Sequence, residues 1–130
     1  MNQNYQLTFI IDDDPVFVLL FKKILIKLGK FETILNFENG QLALDVLLEK
    51  FNNNEPLPDI LFLDINMPVL DGWEFLKAIE KYKFKDELNI YMVSSSIDST
   101  EIKKSKKYKS VKNFISKPVS SKDFLQKLKK

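Results

Sequence analysis

The run Leu61-Phe62-Leu63-Asp64-Ile65-Asn66-Met67-Pro68 constrains this chain more than any other stretch. Large apolar residues end abruptly on a carboxylate, with Pro58 before them and Pro68 after. An apolar run this short, bounded by prolines, reads as a strand buried on both faces, the kind found in parallel sheets. Asp64 then stands at its carboxyl end. In open α/β sheets, helices cover both faces and leave the strand tips as the crevice where ligands and chemistry gather. What else reaches that crevice decides what Asp64 can do.

The same design recurs along the chain. Leu7 to Ile11 is a β-type run that ends on Asp12, Asp13 and Asp14. Pro15 suits the first turn of a helix and Gly29 its end, so residues 15–28 read as the first helix. Its wheel places Val16, Phe17, Leu20, Phe21, Ile24 and Leu28 on the core side and leaves Leu19 and Ile26 outward, between Lys22 and Lys23. Phe31 to Phe37 reads as an edge strand, because Glu32, Thr33 and Asn36 interrupt it. Residues 39–51 repeat Leu42, Val46 and Leu47 at helical spacing behind an Asn39 cap.

After Asp71-Gly72, the segment Trp73 to Lys83 sets Phe75, Leu76 and Ile79 on one helical stripe, with Trp73 packing at the core rim. Ile90 to Val93 is a further buried-type strand, and it ends on Ser94, Ser95 and Ser96. Residues 99–108 form a helix capped by Ser99 or Thr100, the least stable of the set because Ile102 is its only aliphatic residue. Val111 to Ser116 is the last strand and ends on Lys117-Pro118; Ser120 with Asp123 resembles a capping box before a helix from Asp123 to Lys129. Strand and helix thus alternate five times. That pattern predicts an α/β fold with a doubly wound, five-stranded parallel sheet, since right-handed crossovers cover both of its faces.

Composition narrows the chemistry. With 130 residues and 45% hydrophobic content the chain supports one domain spanning 1–130. It has no Cys and no His, which excludes disulfides, thiolate or imidazole metal sites and imidazole general bases. Carboxylates, Lys, hydroxyls and an oxygen-ligated hard cation remain. Every basic residue is Lys. The net charge of +2 divides into +9 over residues 101–130 and −7 over residues 1–100. Without Arg the bidentate contacts of a specific DNA reader are missing, so the basic third reads as a solvated face. No basic leader and no membrane-length apolar run is visible, and the expected location is the cytoplasm.

Set side by side, the tips of the first, third, fourth and fifth strands present Asp12 and Asp13, then Asp64, then Ser94, then Lys117. No apolar core requires this. Clustered carboxylates repel one another unless a cation neutralises them, which argues for a bound divalent metal, Mg²⁺ being the natural choice. Asp64 can then attack phosphorus in line, while Lys117 and the metal bear the charge on the phosphoryl oxygens and Ser94 donates a hydrogen bond.

On these residues the sequence resembles the receiver domains of two-component response regulators, over nearly its whole length. Ile11-Asp12-Asp13-Asp14-Pro15, Asp64-Ile65-Asn66-Met67-Pro68 with Asp71-Gly72, Ser94, and Lys117-Pro118 carry the likeness. The resemblance implies a (βα)5 flavodoxin-like receiver fold. It further implies a phosphoacceptor signalling domain that takes a phosphoryl group onto Asp64 from a sensor histidine kinase or a histidine phosphotransfer protein, with no enzymatic role beyond its own phosphorylation and dephosphorylation. Asp13 would ligate the metal directly, Asp12 through water, and Asn66 through its backbone carbonyl. Ser94 would be the switch hydroxyl and Phe114 its partner ring, lacking the Tyr hydroxyl of many relatives. Lys117 would pair with the phosphate, with a cis peptide before Pro118, and Asn66 and Ser96 would tune hydrolysis.

Two rivals stand beside this reading. Aspartyl-phosphate phosphatases of the haloacid dehalogenase type also use a strand-tip Asp, but with a second acid two residues on, where this chain has Asn66. A pseudo-receiver would keep the fold as a binding module without phosphotransfer. No output domain is expected after the last helix, and the resemblance implies that the output is a protein-protein surface formed by the fourth helix, fifth strand and fifth helix, here Lys-rich, with Lys104 and Lys107 expected to face an acidic partner. Leu19 and Ile26 on the first helix form an exposed apolar pair, and the resemblance implies that this helix contributes to docking of the phosphodonor.

Overall fold

A computed structural model describes residues 4–128. The chain runs β1 (Tyr5–Ile11), α1 (Pro15–Leu28), β2 (Phe31–Phe37), α2 (Gly40–Asn52), β3 (Ile60–Asp64), α3 (Gly72–Ile79), a 3₁₀ turn (Lys83–Glu87), β4 (Ile90–Ser94), α4 (Ser99–Ser105), β5 (Val111–Ser116) and α5 (Ser121–Leu128). All strand pairs are parallel, in the order β2-β1-β3-β4-β5. This is the doubly wound α/β sheet that the alternation predicts, with β2 at an edge. The chain leaves β1 toward one edge through β2 and then returns to build β3, β4 and β5 on the other side. The switch point therefore lies between β1 and β3, where a crevice opens beyond the strand tips.

Alternating side chains divide the core between the two faces of the sheet. Leu61 and Leu63 of β3 pack with Phe9, Leu47, Phe75, Leu76 and Ile79 on the α2 and α3 side. Ile60 and Phe62 join Ile10, Phe21, Leu25 and Phe124 on the α1 and α5 side. All five residues of β3 are buried, as a central strand covered on both faces must be. Burying each large apolar side chain stabilises the fold by about 1.5–3 kcal/mol. The polar residue at the end of that strand is consequently held by the most deeply packed part of the molecule.

The helices depart from the sequence reading in informative ways. Leu19 and Ile26 of α1 are outward, at 56% and 66% exposure, as expected. Val16 and Leu20 are not core residues, however, being 65% and 55% exposed, and Val18 and Leu25 are buried instead. Helix α1 is apolar almost all round, so periodicity alone leaves its rotation undetermined; packing against Phe62 and Phe124 fixes it. In α2, Leu42 is exposed and Ala43, Leu44 and Leu47 face the core.

Helix α3 stops at Ile79, short of the expected Lys83, because Tyr82 bonds back to Ile79 in a tight turn that brings Phe84 into the core. Helix α4 ends at Ser105 and is capped by Asp98, not by Ser99 or Thr100; the Asp98 carboxylate accepts from the Glu101 amide at 2.9 Å. Its only buried residue is Ser105, which makes it the least anchored helix. Strand β4 runs on to Ser94. Helix α5 begins at Ser121, earlier than expected, with the Ser120 hydroxyl accepting from the Asp123 amide at 3.2 Å; the expected end at Lys129 lies outside the described residues.

Candidate functional site

Asp64 closes β3 and is 6% exposed, so the strand delivers a carboxylate to the switch point with little water around it. Asp12 and Asp13 follow β1 directly, and the adjacent pairing of β1 with β3 brings them beside Asp64. Carboxylate oxygens of Asp12, Asp13 and Asp64 lie within 4.8 Å of one another. Lys117, just past β5, extends its ammonium to 3.0 Å from Asp12 and 3.7 Å from Asp64. The peptide bond between Lys117 and Pro118 is cis.

Local chain geometry fixes these groups. The Asp14 amide donates to Asp12 Oδ1 at 2.9 Å, while the Asp14 carboxylate caps α1 by accepting from the Val16 and Phe17 amides at 3.1 and 3.2 Å. On the other flank, Gly72 begins α3, and its amide donates to the Ile65 carbonyl at 2.8 Å. A Cβ at Gly72 would sit 2.6 Å from the Asp64 carbonyl oxygen and 2.9 Å from Ile65 Cα. Only glycine lets α3 start this close to the strand tip. Asp71 and Glu74 complete that start as a reciprocal capping box.

Electrostatics set the site apart from a structural ion pair. Burial, and then the neighbouring charge of Asp12, push the Asp64 carboxyl up to about 7 from an ordinary 3.8, with Lys117 and the Asn66 backbone amide only partly offsetting them. Burial also raises Asp12. Asp12 Oδ2 is buried with no aligned hydrogen bond, its compensation being the nearby Lys117 charge. One ammonium thus faces a cluster of three carboxylates and pairs with two of them. Such a cluster of oxygen donors, under-neutralised and partly open through exposed Asp13, has the donor chemistry a hard divalent cation requires.

The remaining predicted residues divide. Ser94 is 3% exposed at the tip of β4; its hydroxyl accepts from the Ser96 amide at 3.1 Å and lies 3.3 Å from the Ser96 carbonyl, so the side chain is tied to its own loop. Phe114 is buried on β5, opposite Met92 of β4. Asn66 is exposed, and with Asp13, Met67, Pro68 and Asp71 it borders an open depression beside the carboxylates. Trp73 is half-buried, as expected of a rim residue, with Lys104 4.7 Å from its ring centroid.

Sequence reasoning overlooked three contributors. The Asp71-x-x-Glu74 spacing was legible as a capping box. Asp14 was legible only as one acid in a row, and nothing in the sequence marks Phe17, whose ring lies 4.4 Å from the Lys117 ammonium.

A doubly wound parallel sheet with an acidic cluster and a lysine at its switch point defines a receiver-type signalling domain. Comparison with known proteins agrees: residues 8–129 match the response regulator receiver domain family, and the chain belongs to it. The chemotaxis protein CheY of Listeria monocytogenes is 32% identical over 124 residues, which are 95% of this chain and 97% of that one. The sensor histidine kinase CheAY of Helicobacter pylori is 35% identical over 92 residues, 70% of this chain but 11% of that longer protein. Among solved structures, a two-component response regulator from Cytophaga hutchinsonii superposes with a TM-score of 0.87 at 25% identity, covering 98% of this chain and 96% of the other. Among the described residues, no helix is long and apolar enough to cross a membrane.

Proposed function

We propose that the domain formed by residues 1–130 is a phosphoacceptor, taking a phosphoryl group onto Asp64 from a histidine kinase or histidine phosphotransfer protein. The observation that carries this reading is the position of Asp64. A nearly buried carboxylate stands at the sheet's switch point, within 4.8 Å of two further acids and 3.7 Å from an ammonium. Such a cluster costs a resting protein stability, and it is the kind of arrangement by which functional sites tune a carboxylate.

In the transfer, an Asp64 oxygen forms a bond to phosphorus as the phosphorus–nitrogen bond of the donor phosphohistidine breaks, and the imidazole leaves with that electron pair. Lys117 meets the charge that accumulates on the phosphoryl oxygens. Asp12, Asp13, Asp64 and the Asn66 backbone carbonyl would hold Mg²⁺, which when bound neutralises the acids and shares that phosphoryl charge. Ser94, released from Ser96, reaches toward the new phosphoryl group, and Phe114 senses the change from β5 without a hydroxyl of its own. Signalling then proceeds through altered contacts on the face formed by α4, β5 and α5, where Ile102, Val111 and Phe114 floor a cavity of about 460 Å³ bordered by Lys106, Lys109 and Lys112. An acidic partner protein suits that lining.

The test is incubation of the purified protein with Mg²⁺ and a small acyl phosphate, read by intact mass. One phosphoryl adduct is expected, absent from Asp64→Asn. An adduct that persists in the variant, or slow turnover of phosphate esters without any adduct, would contradict the reading.

A further inference from the structure

Lys117 has a long, rotamer-rich side chain, and its value at the crevice depends on where its ammonium is held. The carboxylates of Asp12 and Asp64 attract it from one side, at 3.0 and 3.7 Å. From another side the ring of Phe17, in the first turn of α1, places its centroid 4.4 Å from Nζ. The lysine side chain is only 18% exposed, so this contact is largely withdrawn from water, where a cation gains most from the face of a ring.

Phe17 is itself fixed at both ends. Its amide donates to the Asp14 carboxylate at 3.2 Å, and the Asp14 amide donates to Asp12 at 2.9 Å, which chains the backbone under the ring to the acid that Lys117 pairs with. The ring stacks on Phe21 at 5.4 Å and 21°, and Phe21 is locked edge-on against Phe62 and Phe124 at 4.8 and 5.3 Å. A ring so placed cannot follow the lysine outward, so it limits where the ammonium goes.

We propose that Phe17 is a positioning residue for phosphoryl transfer, its ring face holding the Lys117 ammonium over the gap between Asp12 and Asp64, where the incoming phosphoryl oxygens arrive. The inference rests on the phosphoacceptor reading of Asp64. Its physical basis is a difference between two restraints. The pull of the carboxylates weakens once a cation neutralises them or Asp64 becomes a mixed anhydride. The quadrupole of the ring does not change at all, so it keeps the ammonium in place during the step in which the acids release it.

The test uses the whole chain with Phe17→Leu, Phe17→Trp and a series of ring-fluorinated phenylalanines at position 17, which drain the ring face of negative charge while preserving its bulk. Two readouts are taken. The first is the rate of adduct formation with a small acyl phosphate and Mg²⁺. The second is the chemical shift of the Lys117 ε-methylene protons in protein free of metal and phosphate, which a ring above them moves upfield. Phe17→Leu should slow the adduct roughly three- to thirtyfold and lose the upfield shift, Phe17→Trp should keep both, and fluorination should slow the reaction stepwise. A flat fluorination series in a chain that is otherwise phosphorylated, or a Phe17→Leu variant as fast as wild type, would overturn the inference and leave Phe17 a space-filling residue. A wild-type chain that shows the upfield shift but accepts no phosphoryl group would overturn the phosphoacceptor reading, and the proposed role in transfer with it.

Discussion

Replacing Asp64 by Asn should stabilise the metal-free protein at pH 8 far more than at pH 5. In the folded chain, burial first and the Asp12 charge second push the Asp64 carboxyl from 3.8 up to about 7. A group whose folded pKa lies above its unfolded one contributes stability that is complete below the unfolded value and is lost as the pH rises through the folded value. The window is therefore about pH 4 to 7, and the direction is loss with rising pH. Integrated from pH 5 to 8, a shift of this size amounts to about 2.5 kcal/mol. The variant has no carboxylate there to ionise, so this amount, about 2.5 kcal/mol, is the difference to expect between the two proteins. For a chain of this length that is about 6–10 °C in Tm. Urea unfolding in chelator at pH 5, 6, 7 and 8 measures it: the wild-type stability should fall steadily, that of Asp64→Asn should fall less, and added Mg²⁺ should close the gap by binding the folded wild type. Parallel pH profiles for the two proteins would refute the claim that Asp64 is held as an unfavourable buried charge.

Other perturbations test separate parts of the account. Gly72→Ala drives a methyl group into the backbone of Asp64 and Ile65 and should cost about 2–3 kcal/mol, read from the urea midpoint; a loss under about 0.5 kcal/mol would mean that α3 can retreat from the strand tip. Phe114→Tyr should leave adduct formation intact, and loss of it would show that the ring does more than sense the phosphoryl group. Leu19→Asp with Ile26→Asp should slow transfer from a histidine donor roughly tenfold or more while sparing the reaction with a small acyl phosphate, as loss of interface contacts predicts; equal slowing with both donors would place the defect in the site. Charge reversal at Lys104 and Lys107 should weaken an acidic partner, with the larger effect expected from Lys106, Lys109 and Lys112, which border the cavity.

Strand identity was readable because buried parallel strands write short apolar runs that end abruptly; β5 has the bounds its run suggests, and β3 starts one residue before its run, at Ile60. The acids at the tips of β1 and β3 could be placed together because topology dictates which tips are neighbours. Helix rotation was not readable in α1, where Val16, Leu19 and Leu20 are as apolar as Val18 and Leu25, so only tertiary packing chooses the inward side. The end of α3 was hidden because the apolar pattern continues through Tyr82 and Phe84, past the turn at which the helix stops. The Phe17–Lys117 contact joins residues a hundred positions apart on elements that are not sheet neighbours, and no local pattern encodes it.

In the phosphorylated protein an oxygen of Asp64, and of no other acid, should carry the phosphoryl group. Phosphorylated protein should be reduced with deuterated borohydride, which converts an aspartyl phosphate to homoserine, and then digested and sequenced by mass. Deuterated homoserine is expected at position 64 alone. Label at Asp12 or Asp13, or a phosphorylated chain that yields no homoserine, would contradict it.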